Sequence, residues 1–383
     1  MKKICFVTTI AASLRTFLLK QAEALHNTGE YEVYFISNPD PQIEKEFPKY
    51  VKFYPIQMKR GVGIDGLYVI PKLVRIFRKE RFDIVQYFTP NASFYASTAA
   101  RIAGIPCRIY SQWGILYVGF KGIKRKTFKY IEKRVCRNST VIEVENRANL
   151  EFSHKERLYP DDKGYVIWNG SASGVSLDKY DIEKKDEWRS TIRNMQDIDD
   201  NQFVFGFTGR VTRDKGVNEL LKAFDSLQKK CPNAILMIVG ATSDVNTRSL
   251  NHDLFEKAKA NNKIRFVGRK SDPERYYAAM DCYVMPSYRE GFGMTIIEAE
   301  SMELPVLVSD ITGHKDTMVP HVTGYCFDAY DDIELARLME KMYFDRQLCF
   351  KMGKAARKYV VENYDQEILM EKIVECRQNV TIK

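Results

Sequence analysis

The sequence predicts an α/β protein built from two parallel-sheet domains in tandem. Apolar runs of strand length alternate with helical stretches in each half of the chain, the pattern of a parallel sheet with helices on both faces. The 383 residues, 45% of them apolar, suffice for two cores. Between the two sets lies "IWNGSASGVSLDKYD" (167–181), whose glycines and serines suit a hinge or a plain surface loop.

Taken in order, the first strand is "KICFVTT". The opening "MKKICFVTTIAAS" has the lysines, apolar stretch and small residues of a signal peptide, but two threonines interrupt it and Arg15 follows. It is read as a buried strand. "YEVYFIS", "FDIVQYF" and "RIYSQW" complete the first set; "QFVFGFTG", "AILMIVG", "KIRFVG", "CYVMPS" and "PVLVSD" form the second. No run of about 18 uncharged apolar residues occurs, and the nearest candidate, Ile84 to Pro106, is broken by Pro90, Asn91 and Arg101. No membrane span is expected. The chain closes on a helical pattern from about Gln366 to Asn379. The expected domains are 1–172 and 173–362, with 363–383 as a last helix packing back on the first domain.

Charge is distributed unevenly. The net +9 resolves into +12 over residues 1–175 and −3 over the rest. Its densest part, "GFKGIKRKTFKYIEKRVCRNS" (119–139), interleaves Phe120, Ile123, Phe128, Ile131 and Val135 with eight cations. That is either a solvated helix or a helix lying on anionic lipid; no nucleic-acid-binding signature accompanies it. Eight cysteines without metal-ligand spacing read as reduced core residues of a cytoplasmic protein. His26, His154, His252, His314 and His321 are too dispersed for a metal cluster and read as structural or surface residues. The "DID" at Asp197–Asp199 precedes a strand and reads as a turn. No metal and no cofactor are expected.

Chemistry is sought beyond the carboxyl ends of parallel strands. After "QFVFGFT" comes Gly209, Arg210, Val211, Thr212, Arg213, Asp214, Lys215, Gly216, ahead of the helical "VNELLKAF". Arg210 can grip two phosphate oxygens and Lys215 adds a compact charge. After "CYVMPS" comes "YREGFGMTIIEAE", with Glu290 and Glu298 eight positions apart and Gly291 and Gly293 behind the first. Glycines let backbone N–H groups gather at a helix start, and carboxylates suit diols, so a nucleotide sugar fits: one diol on the ribose, hydroxyls on the hexose, a diphosphate between.

"FTGRVTRDKGVNELLKAF", "FVGRKSDPERYYAAMDCYVMPSYREGFGMTIIEAESMELPVLVSD" and "FVTTIAASLRTFLLKQAEAL" together resemble glycosyltransferase family 4, retaining transferases of the GT-B fold that build bacterial capsule, exopolysaccharide or O-antigen. The resemblance implies two Rossmann-like domains facing a central cleft, the first binding acceptor and the second donor. It implies Arg210 and Lys215 on the diphosphate, Glu298 on the ribose, and Glu290 on the sugar with the backbone of Gly291, Phe292, Gly293, Met294 and Thr295. Gly209 lies at the phosphate loop and Arg269 near the base. Family members often carry a histidine after the strand matching "RIYS"; Gln112 and Trp113 stand there instead. The first loop lacks the usual glycine pair, leaving Ala12 and its small neighbours to approach the donor, while Arg15 is a phosphate or acceptor contact or a surface arginine. The implied reaction moves a hexose or N-acetylhexosamine from a uridine diphosphate sugar to a glycan acceptor, lipid-linked at the cytoplasmic membrane face, by front-face attack without metal. A nucleotide-sugar epimerase and a non-enzymatic nucleotide-sugar-binding protein are the alternatives; an NAD enzyme is disfavoured because no G-x-G-x-x-G follows the first strand.

Overall fold

The computed structural model describes residues 1–59, 61, 63, 65–242, 247 and 249–379. The chain forms two compact units, Met1–Ser173 with Gln366–Lys383, and Gly174–Asp365. It therefore leaves the first unit at Ser173 and returns at Gln366, slightly later in each case than the sequence pattern suggested.

The first unit is a parallel sheet of β1 (Lys2–Val7), β2 (Tyr31–Ser37), β3 (Lys52–Pro55), β4 (Ile84–Tyr87), β5 (Cys107–Gln112), β6 (Val141–Val144) and β7 (Gly164–Tyr165), in the order β3-β2-β1-β4-β5-β6-β7. Both faces are covered, so alternate residues serve different cores. Ile4, Phe6, Ile84 and Ile109 pack in one cluster; Cys5, Val7, Val85, Tyr87 and Tyr110 pack in the other. This double burial is why these strands read as unbroken apolar runs.

The final helix, Gln366–Asn379, lies on the first of these faces. Leu369, Met370 and Ile373 bury against Ala24, Ile167 and Trp168. Farther along, Arg377 is fully buried, its guanidinium gripping both carboxylate oxygens of Glu143 on β6 and donating to Gln86 on β4 at 3.1 Å.

The basic segment forms the helix Gly122–Asn138, anchored by buried Glu132, Val135 and Cys136. Its cations do not act alike. Arg125 and Lys129 are paired with Glu156 at 3.2 and 2.6 Å, whereas Lys124, Lys126, Lys133 and Arg134 are exposed beside Ile123 and Tyr130. Those two apolar side chains are 83% and 68% exposed. Among the described residues, no helix is long and apolar enough to cross a membrane.

The second unit is a parallel sheet of β8 (Phe203–Thr208), β9 (Ala234–Val239), β10 (Ile264–Gly268), β11 (Cys282–Met285), β12 (Val306–Ser309) and β13 (Gly324–Phe327), in the order β10-β9-β8-β11-β12-β13. Every residue of β9, β11 and β12 is buried. Chain order reverses between β8 and β11, and at such a switch point the flanking loops part to leave a crevice beyond the strand ends.

Candidate active site

Three loops meet at that switch point. The first, 209–216, follows β8 and ends at Gly216, whose φ of +69° suits glycine and whose Cβ, if present, would lie 2.0 Å from the Pro286 carbonyl oxygen. The contact seats this loop directly on the one that follows β11. A backbone bond from the Tyr288 N–H to the Asp214 carbonyl, 3.0 Å, ties them further. The third loop, after β12, brings Gly313 against the Glu290 carbonyl.

Within this frame Lys215 Nζ donates to Glu290 Oε1, and the Ser287 hydroxyl donates to the same oxygen at 2.7 Å. Burial alone would raise the Glu290 carboxyl, but the Lys215 ammonium, aided by Ser287, holds it below the usual range. Arg210 is the outer cation. Its side chain is 61% exposed and reaches Asp214 at 3.1 Å, with Arg289 3.9 Å from the same carboxylate. Asp214, which the sequence reading assigned no role, thus holds Arg210 over the loop.

Behind Glu290 the chain passes Gly291, Phe292 and Gly293 into the helix Met294–Ser301, capped by Gly293 at φ +76°. Phe292 is buried edge-on against Tyr364 and Met294 packs on the core. Thr295 adjoins the Tyr283 hydroxyl. Glu298 lies one turn into the helix and accepts from Tyr277 at 3.0 Å. Burial pushes its pKa up to about 7, with the Tyr277 and Tyr180 hydroxyls and Lys179 opposing. Glu300, two positions on, is buried in the core, and that burial pushes its carboxyl well above the usual carboxylate range. The site therefore offers two cations, a paired carboxylate and a helix start to an anion, and a carboxylate ringed by hydroxyls alongside.

Not every residue singled out by sequence joins this constellation. Gly209 opens the first loop, with its carbonyl against Gly240, but Arg269 is exposed past the end of β10, the edge strand. In the first unit, Gln112 is turned into the core. It is fully buried, donating to Glu132 at 2.7 Å and accepting from Ser153 at 3.0 Å and Tyr159 at 3.4 Å, so its amide is committed to the core. Arg15 pairs with Glu46 at 3.2 Å on the surface of its own unit. Ala12 is half-buried in the short helix Ala11–Ser13. Trp113 packs on Phe17 and Phe88 and lines a small polar cavity at the ends of β4, β5 and β6, with Gln86, Ser111, Glu143 and Arg377.

The sequence pattern of "Glycosyl transferases group 1" matches residues 189–359, and that of "Glycosyl transferase 4-like" matches residues 3–146. The capsular polysaccharide biosynthesis glycosyltransferase CapM of Staphylococcus aureus is 29% identical over 385 residues, covering 100% of this chain and 98% of that protein. The UDP-Gal:alpha-D-GlcNAc-diphosphoundecaprenol alpha-1,3-galactosyltransferase of Escherichia coli is 25% identical over 320 residues, covering 82% and 79%. Among solved structures, Anabaena HepE in complex with UDP and glucose matches with a TM-score of 0.82 at 18% identity, covering 99% of this chain and 100% of that one. Two transferase patterns thus account for most of the sequence, one in each sheet unit, and the chain belongs to glycosyltransferase family 4, with the GT-B fold.

Proposed function

We propose that this glycosyltransferase moves a hexose or N-acetylhexosamine, with retention and without a metal ion, from a uridine diphosphate sugar to a polyprenyl-diphosphate-linked sugar during bacterial surface polysaccharide synthesis. The observation that carries the reading is the Lys215–Glu290 pair, with Arg210 beside it, at the start of the helix Met294–Ser301. Fixed cations and a helix N-terminus stabilise a departing diphosphate where another fold would use a metal. In the step itself the acceptor oxygen bonds to the anomeric carbon as the bond to the diphosphate oxygen breaks, and the hydroxyl proton passes to a diphosphate oxygen. The lipid-linked acceptor and uridine donor are those in the name of the Escherichia coli relative; capsule synthesis is in that of the Staphylococcus aureus one. A panel of nucleotide sugars offered with an undecaprenyl-diphosphate-linked sugar in excess chelator, read by mass spectrometry, tests it. Donor loss without acceptor gain, or product only after magnesium or manganese is restored, overturns the corresponding part.

Glu298 makes nucleotide affinity depend on pH. Its carboxyl, raised to about 7, must ionise to accept both ribose hydroxyls. Uridine diphosphate affinity is therefore expected to rise with pH through about 7. The terminal phosphate of the ligand titrates nearby, at about 6, but does so equally with Glu298→Gln, so the difference between parent and variant isolates the residue. The variant is expected to bind about 1.5–3 kcal/mol more weakly at pH 8 and to lose much of that deficit at pH 6. Parallel calorimetric profiles for the two proteins would remove Glu298 from the ribose.

The exposed cations of the helix Gly122–Asn138 fit an anionic bilayer face, where a lipid-linked acceptor resides. Each contributes about 1 kcal/mol near such a surface. Replacing Lys124, Lys126, Lys133 and Arg134 by glutamine is expected to abolish sedimentation with phosphatidylserine vesicles at low salt while leaving nucleotide affinity unchanged. Replacing Arg125 and Lys129 instead breaks their pairs with Glu156 and destabilises the fold. Equal sedimentation of the first variant and the parent would make the helix a solvated face only.

A further inference from the structure

Resting on the donor-site reading above, we infer that His314 is a specificity-determining residue, its Nε2 accepting a hydrogen bond from a hydroxyl of the transferred sugar. His314 closes the short 3-10 turn Thr312–His314 after β12 and is 1% exposed. Its Nδ1 lies 2.9 Å from the Ser309 carbonyl oxygen. A carbonyl only accepts, so Nδ1 carries the proton, and the lone pair is left on Nε2. That atom is buried and, among the described residues, meets no hydrogen-bonding partner. A buried acceptor with no partner costs stability, and here it lies at the beginning of the site helix.

The glycine that caps this helix shows where the imidazole faces. A Cβ on Gly293 would come within 3.0 Å of His314 Cδ2 and 3.4 Å of Nε2. The Cδ2–Nε2 edge of the ring is thus turned to Gly293, which caps the helix Met294–Ser301 where the Glu290 loop arrives. The neighbouring Gly313 packs on the Glu290 carbonyl, so ring and loop move together. The charged groups around the ring are Glu290, Lys215 and Asp310.

Burial lowers the His314 pKa to about 4, with Glu290 opposing and Lys215 assisting. At neutral pH the ring is uncharged, and its free nitrogen cannot donate to a phosphate oxygen. It can only accept, and of the groups in a nucleotide sugar near Glu290 the sugar hydroxyls are the donors. Phosphate is left to Lys215 and Arg210. Discrimination of this kind is sharp because a sugar lacking the hydroxyl, or holding it in the other configuration, leaves the buried acceptor unpaired.

Two substitutions separate this role from a packing role. His314→Asn retains an N–H that can reach the Ser309 carbonyl but has nothing in place of Nε2; His314→Gln carries an amide oxygen long enough to stand there. Affinities for uridine diphosphate and for its glucose, galactose, N-acetylglucosamine and N-acetylgalactosamine conjugates would be measured by calorimetry on the full chain. The expected result is unchanged affinity of His314→Asn for uridine diphosphate, a loss of roughly three- to tenfold for the sugar conjugate the parent prefers, and partial recovery in His314→Gln. A ratio of conjugate to nucleotide affinity identical in parent and both variants overturns the inference. So does a fall in uridine diphosphate affinity matched by an equal fall for every conjugate, which marks a packing residue. Absence of binding by the parent to any of the five ligands would instead overturn the uridine-sugar reading on which the inference stands.

Discussion

Lys215→Ala is expected to lower turnover by roughly two to three decades, the loss of one preorganised partner to charge developing on a leaving group, about 3–4 kcal/mol. Lys215 is only 16% exposed, and in the resting site its ammonium is committed to Glu290, itself 15% exposed. On the proposed donor reading, the diphosphate must compete for that ammonium. The two anions therefore share one cation, and removing it harms both. Without Lys215 the Glu290 carboxyl loses the neighbour that holds its pKa down and burial drives it upward.

A linkage consequence follows. Because the Glu290 carboxyl titrates below its unfolded value, it contributes stability above the ordinary carboxylate range, lost as pH falls through the lowered folded pKa. In Lys215→Ala that contribution vanishes or reverses at neutral pH. Lys215→Ala with Glu290→Gln should then recover stability but not turnover, which separates the electrostatic cost in the folded state from the cost in the transition state. Rates would be taken under single-turnover conditions at saturating donor, with unfolding followed in parallel. Turnover within tenfold of the parent would remove Lys215 from the diphosphate.

The doubly buried strands were the legible part of the fold. "QFVFGFTG", "AILMIVG" and "CYVMPS" are apolar on both faces because helices cover both, and they became β8, β9 and β11. Strands β3, β6, β7 and β13 escaped notice for a common reason. Each has four residues or fewer and none is buried along its whole length, so no continuous apolar run marks it, whereas β4, β11 and β12, equally short, are buried throughout. Three of them, β3, β7 and β13, are sheet edges, and β6 carries Glu143, whose partner is 234 positions away. The acidic loop was legible because its chemistry is local: Glu290, Gly291, Gly293 and Glu298 all fall on one turn and the helix behind it. Partners from other loops were not. Asp214 and His314 become visible only when three loops converge, and nothing in the spacing of five scattered histidines distinguishes the one buried beneath Gly293. Gln112 illustrates the converse, since a polar residue at a strand end suggests a ligand contact until Glu132, Ser153 and Tyr159 are found around it.

Arg377→Met is expected to destabilise the first unit by about 3–5 kcal/mol, the cost of breaking a buried pair by removing one partner. Burial acts to lower the Arg377 pKa, but Glu143, bound through both terminal guanidinium nitrogens, more than offsets it and raises it. Around the pair, the Tyr165 hydroxyl donates to Glu143 at 3.2 Å and the Gln86 amide to Ser111 at 2.8 Å. Methionine fills much of the arginine volume, so little of the loss is cavity. What remains among the described residues is a largely buried carboxylate with only neutral donors. The helix Gln366–Asn379 is held otherwise by a small apolar contact through Leu369, Met370, Ile373 and Val374 and by hydrogen bonds from Gln366 to the Ser173 carbonyl and from Gln378 to Glu30, and its amides should lose protection in hydrogen exchange before those of β1 or β4. Replacing Glu143 by leucine in the same chain should restore most of the stability, because two apolar side chains need no compensation where one stranded charge does. If Arg377→Met costs less than about 1 kcal/mol in denaturant unfolding, or if Glu143→Leu deepens the loss instead of relieving it, water reaches this cavity freely and the last helix is fastened without the ion pair.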